Sequence, residues 1–459
     1  ATVNGNVSVD GGTIKLDGNY PVGSNNVALG DTALDSLTSG SRNNAFGATA
    51  LTAVTSGSWN VGIGTQSLQT LQTGDFNVAV GGLALASANG ASFNVAMGQT
   101  ALTTNSSGSN NTGLGYNALR SNTTASNNTA VGYQAGYSNT TGTDNVAVGA
   151  AALYDNSTGI RITAVGREAL TNNTSGNHNT GIGYQAMLTN TTGNYNVSVG
   201  YESLNSNTTA SSNTAVGYQA LYANTTGAEN IAIGRSALDA NTTASNNTAV
   251  GGAALGANTN GASNTAIGRQ ALNANTTASN NTAVGYQAGY SNTTGYHITA
   301  IGRQALRSNT TGFNNTALGR NSLYYNTTGE ENTSSGNESL QANTTGDSNT
   351  AYGSDALRSN TTGSESTAVG YQAGLSNTTG RITALGRHAV KNSTTAFEVT
   401  GIGYRALRDN TTGQYNTSVG GDALMQNTTA SYNTSVGYQS LYNSTGSENT
   451  AVGYQAGYS

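Results

Sequence analysis

A glycine returns at every seventeenth residue along most of this chain, and that period limits the fold more than any other feature. It stands at Gly30, Gly47, Gly64, Gly81, Gly98 and Gly115 and keeps the spacing to Gly370. It continues through Gly386, Gly403, Gly420, Gly437 and Gly453, with two steps of sixteen that end at Gly386 and Gly453. The unit reads N-T-A-V-G-Y-Q-A-L-x-S-N-T-T-G-S-x, with the fixed glycine at position 5, and Asn213 to Glu229 is a clean copy. A helical repeat needs roughly thirty residues or more to hold two helices, so seventeen point to β structure.

One unit suffices for one turn of a coil. The pattern predicts a short strand over N-T-A-V, a corner at the glycine (Gly132, Gly149, Gly166, Gly217), a second short strand over Q-A-L and a return through N-T-T-G. The expected fold class is all-β: a β-solenoid, or parallel β-roll, of about twenty-six such coils over residues 25–459. Stacked at the interstrand spacing of ~4.8 Å they would make a rod of roughly 120 Å. Each coil alone buries too little to be stable, so stability must come from stacking.

Composition enters as a challenge to this reading. Only 8% of residues are charged and 35% hydrophobic, which is thin for an ordinary core. Disordered chains, however, are rich in proline and charge, whereas here proline occurs once and Val, Ile and Leu recur in register. The net charge of −5 is spread thinly, with no basic stripe for phosphates, so nucleic acid is not an expected partner. No run of eighteen apolar residues predicts membrane insertion, and Ala1 does not open a signal-like pattern. Cysteine is absent, which removes disulfides and thiolate metal sites but leaves the compartment open.

The copies can be compared with one another. Position 4 is nearly always Val, Ile or Leu (Val131, Val216) and position 9 usually Leu (Leu119, Leu221); both are expected in the core. Position 12 is Leu37, Val54, Leu71 and Ala88 in the first coils and then becomes Asn. A site that accepts Leu or Asn points inward, which predicts a buried ladder through Asn122, Asn139, Asn190, Asn207 and Asn224. The plainer alternative is a turn asparagine in an N-T-T-G loop.

Position 3 is always Ala, Gly or Ser, and alternation places it opposite position 4. Constant smallness on an outer face suggests a close neighbouring backbone, so Ala130, Ala147, Ala164 and Ala215 are expected at an interchain contact. Ile162, Ile298, Ile382 and Val399 replace Asn at position 1 on that same face. The competing account is a narrow corner crowded by its own chain, which suits position 8 (Ala135, Ala169, Ser203, Ala220) better. Position 6 mixes Tyr (Tyr116, Tyr133) with Arg (Arg167, Arg235), a solvated row that could also touch saccharides.

Residues 1–24 leave the repeat. Val7, Val9, Ile14 and Leu16 alternate with polar residues, and Pro21 is the single proline, so this segment is expected to be a β cap or the exit of an earlier domain. At the other end the sequence stops within a unit, at Tyr458-Ser459, and an open solenoid edge invites further chain or end-to-end stacking.

No motif predicts catalysis, a cofactor or a metal. His178, His297 and His388 are far apart, and Gly62-Ile63-Gly64 is a repeat corner without a nucleotide-binding context. No pair of carboxylates is spaced for glycan hydrolysis. The Asn-Thr-Thr triplets match the N-glycosylation acceptor, which a buried Asn122 could not serve; the threonines at positions 13 and 14 are better placed for display, O-linked sugar or a flat ice-binding face.

Asn25-Asn26-Val27-Ala28-Leu29-Gly30 and Asn127-Asn128-Thr129-Ala130-Val131-Gly132 resemble the N-S-V-A-I-G motif of trimeric autotransporter adhesin heads. That resemblance implies a left-handed parallel β-roll in a homotrimer, with Val27, Leu29, Thr129 and Val131 facing the roll interior. The N-T-A-V-G-Y-Q-A-L and N-T-T-G runs are also similar to repetitive shafts of phage tail fibres. The expected function is a structural and adhesive extracellular fibre shaft on a phage tail or virion, projecting a receptor-binding tip towards a cell-surface glycan or receptor. A bacterial surface adhesin or secreted filament is the alternative, and an ice-binding solenoid a more distant one.

Overall fold

The computed structural model describes residues 25–458. The expected cap over residues 1–24 lies outside these residues. The chain is an all-β parallel β-solenoid, and it forms two compact units that divide between Thr226 and Gly227. The first unit holds twelve strands, from β1 (Val27–Leu29) to β12 (Thr214–Val216); the second holds fourteen, from β13 (Ile231–Ile233) to β26 (Thr450–Val452). Within each unit every strand pairs in parallel with the next, position on position, as in β7 (Thr129–Val131) against β8 (Val146–Val148), where Ala130 lies beside Ala147.

Each coil has one short strand, of three residues over positions 2 to 4 except at Ile382–Leu385 and Val399–Ile402, which start at position 1, and not the two strands expected. The Q-A-L segment is a turn because its backbone alternates: Gln134 has φ +55° and Leu119 φ +50°. Left-handed conformations on both sides of position 8 break the extended ladder, yet they aim the amides along the stack. Leu119 N–H donates to Ala135 O at 3.0 Å, and Gln134 N–H to Tyr116 O at 2.9 Å. A left-handed Leu costs about 1–2 kcal/mol. Burying its side chain returns about 1.5–3 kcal/mol, and the hydrogen bond between coils adds to that.

The corner glycines are required by contact. Gly132 has φ +140°, and a β-carbon there would lie 2.5 Å from Gly149 O in the next coil. At Gly149 and Gly166 it would lie 2.5 and 2.3 Å from the following glycine oxygen, and Gly217 shares their conformation at φ +134°.

The strand faces are the reverse of the sequence expectation. Ala130, Ala147, Ala164 and Ala215 are buried inside their own coil, whereas Val131 and Val216 are half-exposed on the outer side, and Val27 and Leu29 are exposed. The interior of a seventeen-residue coil is narrow. Position 9 fills it: Leu119 and Leu221 are buried, and so are Ala135, Ala169, Ser203 and Ala220 at position 8. Little room remains across from Leu. Where position 3 is Gly113, an added β-carbon would already lie 3.4 Å from Leu102 of the preceding coil. Position 3 is therefore small because of its own chain, and the interchain assignment of those alanines is withdrawn.

Candidate functional site: ladders within, an uncharged face without

Two asparagine columns run through the interior. At position 12, Asn122 donates Nδ2–H to Asn105 Oδ1 at 2.8 Å and to the carbonyl of Ala125, three residues on, at 3.0 Å. Asn139, Asn190 and Asn207 repeat this geometry, bonding to the coil before at 2.9, 2.7 and 2.8 Å. Asn224 donates to Asn207 Oδ1 at 3.1 Å. Ladder and turn are thus the same residue, because one amide hydrogen serves the neighbouring coil and the other closes the N-T-T-G return.

Position 1 makes the second column, which the sequence reading missed. Asn60 Nδ2 donates to Asn43 Oδ1 at 3.1 Å and to Gly74 O at 2.8 Å, while its backbone N–H also reaches Asn43 Oδ1 at 3.0 Å. Ile162, Ile298, Ile382 and Val399 interrupt this column and are buried like the asparagines they replace. The signal was present in the sequence: an Asn site that accepts Ile points inward, by the rule that served for position 12.

The outer side carries the unexplained chemistry. Positions 2 and 4 project from every strand, and position 17, whose φ is positive, adjoins position 2 at the surface, as where Glu365, Arg381 and Glu398 line one recess with Thr383 and Thr400. Positions 2 and 4 hold no charged residue in any strand. Position 4 is aliphatic, Phe or Met in all but β19 (Thr333–Ser335) and β20 (Thr350–Tyr352). Side chains as large as Ile63, Met97, Ile233 and Leu318 stand exposed there. Position 2 mixes Val and Thr with a single Asn, Asn44, in the first unit and is Thr throughout the second from Thr248 to Thr450.

Aromatic residues add to this face in the first unit. Trp59, Phe76 and Phe93 occupy position 17 in successive coils and stack at 5.9 and 5.2 Å between ring centroids. The Arg42 guanidinium lies 4.5 Å over the Trp59 ring at one end of the stack, and position 17 becomes Asn110 at the other. Position 6 carries further stacks, Tyr116 on Tyr133 at 5.6 Å and Tyr184, Tyr201 and Tyr218 at 5.1 and 5.3 Å. Rings stacked on one another present edges to solvent, whereas a sugar packs on a ring face.

Threonine hydroxyls divide into two kinds. At position 13 they are engaged, as when Thr123 Oγ1 donates to Thr140 O at 3.0 Å and Thr140 Oγ1 to Ser157 O at 2.8 Å. At position 14 the side chains are exposed.

The first of the two shortened coils holds a charge cluster. Arg381 bonds Glu365 at 2.6 Å on one side and Glu398 on the other, beside a recess of about 120 Å³ lined also by Ile382, Thr383, Val399 and Thr400. Both carboxylates are thereby committed to Arg381. His178 stacks on Tyr195, and His297 meets Tyr296 edge-on. Among the described residues no group of three His, Asp or Glu side chains is placed to hold a metal ion.

No protein-family model matches the chain, and no curated protein matches it either.

Proposed function

We propose that the chain is a shaft segment of an extracellular structural and adhesive fibre, of the phage tail-fibre or virion type, in which parallel copies associate as a homotrimer through the outer sheet face. The observation that supports this is the position-4 column. It sets an aliphatic side chain toward solvent in nearly every coil, and charge is kept off both columns of the face. Contiguous apolar surface of that kind marks an interaction site. The stacked ladders supply the stiffness a shaft needs, and no part of this role calls for catalysis or a cofactor.

The role assigned to Ala130 and its equivalents thus passes to positions 2 and 4. Mass of the intact assembly in solution tests it: three chains are expected, and a monomer at micromolar concentration overturns the reading. A bacterial surface adhesin would use the same shaft on a different anchor.

The threonine column from Thr248 to Thr450 favours a second reading. Regular hydroxyls beside aliphatic groups, spaced by the coil repeat, can order water as an ice-binding face. It competes with self-association for the same surface, and absence of thermal hysteresis in the monomeric form would remove it.

A further inference from the structure

Copies of a repetitive shaft face a problem that ordinary subunits do not. Sliding one chain along another by a single coil restores almost every contact, because columns 2 and 4 change little from coil to coil. Something must break that near-degeneracy. In the first unit the stack Trp59, Phe76 and Phe93 occurs once, bounded by Arg42 and Asn110.

These rings are 48%, 47% and 56% exposed, although each could have been as polar as Asn127 or Asp144 at the same position. Beside them position 2 carries Val61, Val78 and Val95, and turns to Thr at Thr112 where the rings end. Over these coils the apolar character of columns 17 and 2 ends together, although Val146 elsewhere stands beside Asp144.

We propose that this aromatic block is the register key of the assembly, and that its occupant is the same block of a second copy. The inference rests on the shaft reading above. Copies related by rotation about an axis along the stack hold equal coils at equal height, so ring meets ring and Val meets Val. A slip of one coil sets a ring against Arg42 or Asn110 and leaves it half-covered. The area is adequate. Twelve strands about 4.8 Å apart and a face about 13 Å wide give roughly 700 Å² per copy, close to the ~800 Å² that each partner buries in a standard interface. Columns 2 and 4 carry no charge and add no like-charge repulsion between identical chains, whereas in column 17 Arg42, Asp144 and Arg161 would each stand beside its own copy.

Trp59 is the only tryptophan, so its fluorescence reports on the block alone. Acrylamide quenching and assembly mass are read together over a concentration series. Assembly with Trp59 becoming protected supports the key. Assembly with Trp59 still fully quenchable overturns it and leaves the shaft reading standing; a chain that stays monomeric sinks both.

Register is read directly because the chain has no cysteine. Thr129→Cys and Val146→Cys chains are mixed and oxidised, giving level (129–129) or one-coil-shifted (129–146) disulfides. Level bonds should exceed shifted ones by about tenfold, the factor one aromatic contact carries. The excess should vanish with Phe76→Ser and Phe93→Ser, outward changes that leave the coil interior intact. An unchanged ratio in that background overturns the proposal.

Discussion

Asn139 donates one amide hydrogen to Asn122 Oδ1 in the preceding coil and the other to Gly142 O in its own, both at 2.9 Å. Its own Oδ1 accepts from Asn156 at 2.9 Å, so every polar atom of a buried side chain is used. Asn139→Asp removes both donors and sets a carboxylate against two oxygens. That should cost about 3–5 kcal/mol, as for an uncompensated buried charge. Asn139→Leu, which has precedents at Leu37 and Leu71, should cost only about 1–3 kcal/mol, the price of leaving its neighbours unsatisfied. Urea unfolding of the two variants ranks them, and Asp milder than Leu would refute a donor role.

The same column has a natural defect. Where position 12 is Ser393, the hydroxyl is buried without a partner, and so is Asn377 Oδ1 in the coil before it. Ser393→Asn should reconnect Asn377 to Asn410 and stabilise the second unit by about 1 kcal/mol, the usual net value of a hydrogen bond. A raised urea midpoint at unchanged slope is the expected result.

A glycine at a coil corner and one beside a corner should respond differently to alanine. Gly132→Ala drives a β-carbon into Gly149 O in a left-handed backbone, and should destabilise by about 3 kcal/mol or more. At Gly252 the nearest atom to an added β-carbon is 4.0 Å away, so Gly252→Ala should stay within about 0.5 kcal/mol of wild type. Thermal melts of both variants check the contrast.

Adjacent residues test the orientation of the strand. Ala130→Val enlarges the filled side and should cost about 1–3 kcal/mol in chain stability by overpacking. Val131→Thr, on the outer side, should change chain stability by no more than about 0.5 kcal/mol while weakening association of the copies. Unfolding and assembly mass, measured on the same samples, separate the two effects.

His388 makes one part of the second unit sensitive to acid. Partial burial, followed by the nearby cations Lys391, Arg387, Arg408 and Arg405, holds its pKa below the ordinary value. The unfolded chain binds a proton near pH 6.5, whereas the folded chain takes it up only at lower pH. Stability is therefore full above that value and falls as pH drops through it toward the folded pKa. Protection factors around His388, corrected for the intrinsic pH dependence of amide exchange, should fall at pH 5 relative to pH 7, and His388→Gln, the commonest residue at its repeat position, should remove the slope.

The period, the corner glycines, the inward Leu119 and the column through Asn122 could all be read from repetition alone. Repetition reveals which positions are constrained, but not from which side. Val131 was assigned to the interior on hydropathy, yet the coil is too narrow for a β-branched residue opposite Leu119, and Ala130 takes that place. The missing second strand has a similar cause. Nothing in Gln134-Ala135 declares a left-handed backbone, since Gln and Leu rarely adopt one, and only stacking against the next coil makes it worthwhile. The outer face stayed hidden because its aliphatic residues had been spent on the core.

Because equivalent atoms in consecutive coils bond to each other, any two seams within a unit are interchangeable. Joining the residue before Asn122 directly to Asn139 would delete one rung and bring matching donors and acceptors together again. Such a chain can shorten or grow by whole repeats through recombination between near-identical stretches of its gene, with no new interior to invent. Reach then becomes a quantity that selection can adjust separately from stability.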